Sequence, residues 1–217
     1  MTVQTELREL RKTVTSLEQQ LQKVKMAYRL SLEGLRSGYE DQLARAYDDL
    51  GRDPLTGLLN RTLLDRAFHR HVESVRRDAL GQDTAILFID VDQFKLVNDS
   101  YGHRVGDDVL KSIAQVLSAA VREVDIVSRS GGDEFIIVLA RSNLVDAVVI
   151  AQRIREGITK LELDAGIPVS VSIGIANIKL DAFKEASAAF EDAADRADKA
   201  MYKAKVRGRN QVVSAED

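Results

Sequence analysis

The run Val124-Asp125-Ile126-Val127-Ser128-Arg129-Ser130-Gly131-Gly132-Asp133-Glu134-Phe135-Ile136-Ile137-Val138-Leu139-Ala140 decides the fold. Two apolar stretches, 124–129 and 134–140, flank a short polar segment with paired glycines. That is the pattern of two antiparallel strands joined by a tight turn whose backbone a ligand can approach closely. Two acids, Asp133 and Glu134, follow the glycines. Upstream, 84–90 reads as another strand, and Phe88-Ile89-Asp90-Val91-Asp92 sends Asp90 and Asp92 to one side, because strand side chains repeat every second residue. If the hairpin lies beside this strand, Asp90, Asp133 and Glu134 converge as hard oxygen ligands. Such a set suits Mg²⁺ held by few carboxylates and completed by substrate phosphates, and two-metal phosphoryl transfer is the chemistry that follows. Lys95, Lys205 and Arg209 are bases suited to phosphate oxygens.

Outward from this centre the chain alternates strand and helix. Further strands are expected at 168–176 and 211–214, with helices at 104–120, 144–162 and 187–206 and a shorter one near 93–99. Asn60 reads as the N-cap of a helix with Leu63, Leu64, Ala67, Phe68, Val72 and Val75 on its apolar face. In the fourth strand Val169, Val171, Ile173 and Ile175 alternate with Ser170, Ser172, Gly174 and Ala176, which predicts one face toward solvent or a groove. The fold class is α/β, an α+β sandwich with a central sheet of about five strands flanked by helices, over residues 51–217. His69 and His71, two apart on a helix, face different sides and read as surface residues.

Residues 1–50 differ in kind. They contain no proline, two glycines (Gly34 and Gly38), eight basic and eight acidic residues. Leu7, Leu10, Val14, Leu17, Leu21, Val24 and Tyr28 follow the 3,4 spacing of a heptad seam, and Leu32, Leu35, Tyr39, Leu43, Ala46 and Leu50 continue it with stutters. A fifty-residue helix would be a rod of roughly 75 Å, so a second copy is expected to cover the seam. A solitary amphipathic helix lying on the second domain is the alternative. The segment Gly51-Arg52-Asp53-Pro54-Leu55-Thr56-Gly57 ends the rod, with Gly51 suited to a left-handed cap and Pro54 barring Asp53 from the helix. The expected division is a dimerising coiled coil over 1–50 and an α/β domain over 51–217.

Composition narrows the function classes. Among 217 residues, 31 Lys and Arg balance 34 Asp and Glu to a net charge of −3, so neither a polyanion-binding protein, such as a nucleic-acid binder, nor a strongly acidic protein is indicated. The absence of cysteine removes disulfides, thiol nucleophiles and thiolate metal sites. The longest apolar runs fall far short of the roughly 20 residues a bilayer requires. The first residues lack a basic start and apolar core, so a cytoplasmic protein without a membrane partner is expected.

Six motifs in order give a resemblance. Asp53-Pro54-Leu55-Thr56-Gly57-Leu58-Leu59-Asn60-Arg61, the run from Asp90 to Asp99, Tyr101-Gly102-His103, Gly106-Asp107, Gly131-Gly132-Asp133-Glu134-Phe135, and the run from Ala197 to Lys205 followed by Gly208-Arg209-Asn210 are similar to the GGDEF domain of diguanylate cyclases. The resemblance implies a nucleotidyl cyclase-like fold and a homodimer, joined here through a parallel coiled coil, that condenses two GTP into cyclic di-GMP and two pyrophosphates. It implies two Mg²⁺ per active site, with Mn²⁺ as a substitute. Asp90 and Asp133 would bind metal through side chains and Val91 through its carbonyl. Glu134 would assist the metal or activate the attacking 3′-hydroxyl. Asn98 and Asp107 would read guanine, His103 would touch the substrate, and Lys95, Lys205 and Arg209 would neutralise the triphosphate. Arg122 and Asp125 match the Arg-x-x-Asp site where the family binds its product as inhibitor, and Arg153 is a candidate second contact there. A salt-bridged surface pair is the other reading of Arg122 and Asp125. Ser130 departs from the aromatic residue that many members carry. A catalytically silent receptor for GTP or cyclic di-GMP is the alternative function, and a coiled-coil scaffold leaves the acids and bases unexplained.

Overall fold

The structure, a computed structural model, describes residues 14, 17–18, 20–36, 38–39, 51–77, 83–163 and 166–216. The chain divides into two compact units, Met1–Leu50 and Gly51–Asp217. In the first, helix α1 runs over 20–36 and continues through Gly34, where an added Cβ would meet nothing within 4 Å. Its seam residues Leu21, Val24, Tyr28, Leu32 and Leu35 are exposed in the single chain. The seam positions Leu7, Leu10, Leu43, Ala46 and Leu50 lie outside the described residues, as does the end of the rod. Among the described residues no helix is long and apolar enough to cross a membrane.

In the second unit α2 (Arg61–Arg77) precedes β1 (Thr84–Val91), α3 (Phe94–Tyr101), α4 (His103–Ala120), β2 (Ile126–Arg129) and β3 (Glu134–Ala140). Helix α5 (Leu144–Thr159), β4 (Val171–Asn177), α6 (Ala186–Val206) and β5 (Val212–Ser214) complete it. The sheet order is β2-β3-β1-β4-β5, antiparallel except for the parallel β4–β5 pair. This is the expected sandwich of five strands with helices on both faces. Side-chain caps start two helices as their sequences require: Asn60 Oδ1 accepts from the Leu63 amide at 3.1 Å, and Asn143 Oδ1 from the Asp146 amide at 3.0 Å.

Central strand β1 is apolar without alternation because both its faces are covered. Leu87, Ile89 and Val91 pack with Leu110, Ile113 and Ile154 of α4 and α5. Ile86 and Phe88 face Phe68 of α2 and Phe190 of α6. The same layering corrects the reading of β4. Ser170, just before the strand, is half-buried and borders a cavity, but Ser172, Gly174 and Ala176 meet neither solvent nor a groove; all three are buried. The face is small because α6 lies directly on it: a Cβ at Gly174 would stand 1.9 Å from the Ala197 carbonyl oxygen and 2.3 Å from the Met201 nitrogen. The alanines of α6, Ala193, Ala197, Ala200 and Ala204, are buried as well, so small residues on both elements set a close approach.

Gly51 is also corrected, since its φ is not among the positive ones. It is needed for space, because a Cβ there would fall 2.0 Å from Leu63 Cγ. Overpacking a filled core costs about 1–3 kcal/mol, and backbone atoms cannot swing aside as a side-chain tip can. Gly174→Ala is therefore expected to lower the unfolding free energy by at least about 1 kcal/mol, read as a fall in the urea midpoint at unchanged slope.

Candidate active site

The antiparallel register of β1 and β3 opposes Asp90 to Glu134, and the Val91 amide donates to the Asp133 carbonyl at 3.2 Å. The hairpin therefore does lie beside the first strand, and the signature acids stand at the end of β1. The turn is tight: Ser130 N donates to the Glu134 carbonyl at 3.0 Å, and a Cβ on Gly131 would sit 2.8 Å from Glu134 Oε2. Glycine at 131 lets the Glu134 side chain lie across the turn.

Asp90 is buried at 7% exposure, and its Oδ2 receives the Lys205 ammonium at 2.7 Å. Burial pushes its carboxyl up to about 6, Lys205 opposes the rise, and the negative charges of Asp133 and Glu134 add to it. The three acids thus interact, yet they do not converge as a three-carboxylate cage. Among the described residues no group of three acids or histidines could grip a metal unaided. The residues expected to hold metal, Asp90, Asp133 and Val91, would offer two carboxylates and a backbone carbonyl. That is an all-oxygen set with most positions left for other ligands, which fits Mg²⁺ chemistry. The Lys205 ammonium on Asp90 Oδ2 shows that this oxygen accepts a cation.

Asp92 departs from its expected pairing with Asp90. It is buried, and its carboxylate accepts from Ser170 Oγ at 2.6 Å, Ser172 Oγ at 2.7 Å and the Asn210 amide at 2.9 Å. All three of these bonds are made within the domain.

Asn98 packs across the α3–α4 junction, its Oδ1 lying 1.9 Å from where a Cβ on Gly106 would stand. Gly106 thus makes room for it beside Asp107. Lys95 on α3 and His103 and Asp107 on the first two turns of α4 are exposed. Arg209 is exposed too, in a turn just past α6.

Sequence reasoning missed Arg129. Its Nε and Nη2 donate to the Gly132 carbonyl at 3.2 and 2.7 Å, and its Nη1 donates to Asp53 Oδ1 at 2.9 Å and Oδ2 at 3.1 Å. Asp53 also accepts from the Thr56 amide at 2.8 Å and hydroxyl at 2.6 Å. Burial raises the Asp53 carboxyl, but Thr56 and the guanidinium outweigh it and hold the group below its ordinary value. The forked donor pattern of arginine suits this double duty, and a cation next to the glycines was the one signal the sequence offered.

Away from the acids, Arg122, Asp125 and Arg153 line one cavity of about 730 Å³ with an apolar wall that includes Val121 and Ile150. The Asp125 carboxylate accepts from the Arg122 amide at 2.8 Å and the Ala140 amide at 2.9 Å. The alternative reading of a side-chain salt bridge between Arg122 and Asp125 is not met, since the Asp125 carboxylate goes to these backbone amides. Arg153 Nη2 donates to the Ala120 carbonyl. His71, read as a surface residue, is half-buried, and its Nε2 lies 3.0 Å from Thr84 Oγ1. Burial lowers its pKa, with Asp125 opposing the shift and Arg141 adding to it.

Residues 51–211 match the family described as diguanylate cyclase, GGDEF domain. Diguanylate cyclase DgcM of Escherichia coli K12 is 38% identical over 179 residues, which are 81% of this chain and 40% of DgcM. The chain therefore spans about two fifths of that relative. Among solved structures, diguanylate cyclase SiaD of Pseudomonas aeruginosa, in complex with its activator SiaC, superposes with a TM-score of 0.78 at 32% identity, covering 97% of this chain and 79% of SiaD. The GGDEF domain of DgcB from Caulobacter crescentus, in complex with c-di-GMP, gives 0.68 at 28% identity over 77% of this chain and 96% of that one.

Because the folded Asp90 binds its proton more tightly than the unfolded group at 3.8, its ionisation opposes folding, and stability falls as pH rises from about 4 to 6. Asp90→Asn is expected to raise the urea midpoint at pH 8 in metal-free buffer. The gain should shrink below about pH 6 and vanish near pH 4; a difference independent of pH would contradict this.

Proposed function

Because the chain belongs to the GGDEF family of diguanylate cyclases, we propose that it condenses two GTP into cyclic di-GMP and two pyrophosphates. The observation that carries the reading is the convergence of Asp90, Glu134 and Lys205 at the junction of β1, β3 and α6, with the Asp133 carbonyl bonded to β1. Asp90, Asp133 and the Val91 carbonyl would hold divalent metal, Mg²⁺ or Mn²⁺, which supplies charge neutralisation at the reacting phosphate and a more acidic 3′-hydroxyl. Glu134 lies beside Asp90 and serves as metal ligand or as acceptor of the hydroxyl proton. Lys205 and Arg209, with Lys95, neutralise the triphosphate. Asn98 and Asp107 select guanine: the Asp107 carboxylate accepts from N1–H and the 2-amino group, and adenine would leave it unpaired. His103 adds a substrate contact.

Each domain would hold one GTP, so two must face each other. The exposed seam of α1 supports a parallel coiled coil joining residues 1–50 of two copies, with 51–217 as the catalytic domain. Such tethering brings the second domain to roughly millimolar effective concentration. The cavity of Arg122, Asp125 and Arg153 supports product feedback, its arginines suited to phosphates and its apolar wall to a base. The family relation and the intact acids favour the enzyme over a silent receptor.

Incubation with GTP and Mg²⁺ followed by product chromatography is expected to yield cyclic di-GMP from the wild type and at least about 100-fold less from Asp133→Ala. GTP binding without product would establish the receptor instead. Arg122→Ala should keep its initial rate and lose sensitivity to added product. Deleting residues 1–45 is expected to leave turnover intact at micromolar protein and depress it at nanomolar protein; undiminished nanomolar activity would refute the tether.

A further inference from the structure

The acid that the active site does not use has a place in it nonetheless. We infer that Asp92 is a positioning residue for Arg209, acting through the turn Gly208-Arg209-Asn210. This rests on the reading above that Arg209 meets the substrate's phosphates.

The turn is conformationally costly. Gly208, Arg209 and Asn210 have φ of +116°, +65° and +47°, and left-handed backbone is disfavoured for residues with a Cβ. The end of α6 supports the first part, the Gly208 amide donating to the Lys205 carbonyl at 3.4 Å and the Arg209 amide to the Ala204 carbonyl at 3.0 Å. That is a Schellman closure, and it satisfies helix carbonyls only as far as residue 209. The next amide, Asn210 N–H, has left the helix, and it donates to Asp92 Oδ2 at 2.9 Å. On the other side Asn210 Oδ1 accepts from Arg155 Nη1 of α5 at 3.1 Å. Arg209 therefore sits between a helix cap and a residue clamped from two directions, and its own side chain stays exposed.

Asp92 is itself held rigidly. Ser170, just before β4, and Ser172, on its small face, both donate to it, and its amide donates to the Ser170 carbonyl at 2.9 Å. No ion pair to Asp92 occurs among the described residues, so a buried carboxylate is satisfied by neutral donors alone. Hydrogen bonds to an ionised acceptor are about twice as strong as neutral ones. This is an anchor fitted to one backbone amide rather than a charge held in reserve. Asp92, Ser170, Arg209 and Asn210 line one cavity of about 390 Å³ with Gln93 and Val97, so the anchor and the arginine it positions border the same space.

The test is a double-mutant cycle of Asp92→Ala and Arg209→Ala in the full chain. It is read as kcat/KM for GTP and as Kd for a non-hydrolysable GTP analogue by calorimetry. Alanine leaves no acceptor for Asn210 N–H, so Asp92→Ala should weaken both quantities by about tenfold when Arg209 is present and by less than about twofold when it is absent. Asp92→Asn, whose remaining oxygen can still accept from Asn210 N–H, should stay within about threefold of the wild type. A purely structural role predicts the same factor in both backgrounds, and that result overturns the inference, as does no effect in either. Should Asp92→Ala fail to fold by its melting curve, Ser172→Ala takes its place in the cycle, with a smaller effect and the same coupling expected. If the wild type makes no cyclic di-GMP while the Kd cycle remains coupled, the cyclase reading fails and the positioning role stands.

Discussion

The pairing of β1 with β3 in the register Asp90↔Glu134 is the constraint on which the site depends. β1 is apolar on both faces, so the usual in-and-out alternation cannot fix its register. The acids at its end do so instead. Sliding β1 by one residue toward the core would draw Asp90 into hydrocarbon away from Lys205, and an unpaired buried charge costs several kcal/mol. Sliding it outward would strip one side chain of burial worth about 1.5–3 kcal/mol. The residues proposed for chemistry thus also act as the stop that places β1 against the hairpin.

The second determinant is the closeness of α6 to β4. Gly174 opposite Ala197, among buried alanines, draws the helix onto the sheet. Its far end then arrives beside the end of β1 with Lys205 on Asp90 and the Gly208–Asn210 turn on Asp92. A bulkier β4 face would lift the helix and carry both bases away. Gly174, which suggested an open groove, is there because a helix covers it, and Ser170 and Ser172 are there to hold Asp92.

Elements set by local pattern were legible in the sequence: the hairpin, the apolar β1, the Asn60 cap and the helices of the second unit. The motif order likewise led to the family. What escaped were consequences of distant partners. Asp90 and Asp92 stand two positions apart at the end of β1, which closes at Val91, and have opposite fates, decided by Lys205 on one side and by Ser170, Ser172 and Asn210 on the other. No spacing within β1 encodes that. Arg129 is similar, because its carboxylate partner Asp53 lies 76 positions earlier. Gly51 misled for a related reason: a glycine in a turn suggests a positive φ, whereas here Leu63 excludes a side chain.

The cost of the site falls on Asp90, and the geometry shows why it is tolerated. A carboxyl pushed up to about 6 by burial is held in a state the fold disfavours at neutral pH, as expected where stability yields to function. Lys205 offsets part of this while keeping capacity to spare. An ammonium has three donors; the Asp90 contact uses one, and 30% of the side chain remains exposed. The same lysine can therefore hold Asp90 in the free protein and meet a phosphate oxygen without leaving it. A more buried lysine would stabilise Asp90 better and have nothing left to offer a substrate.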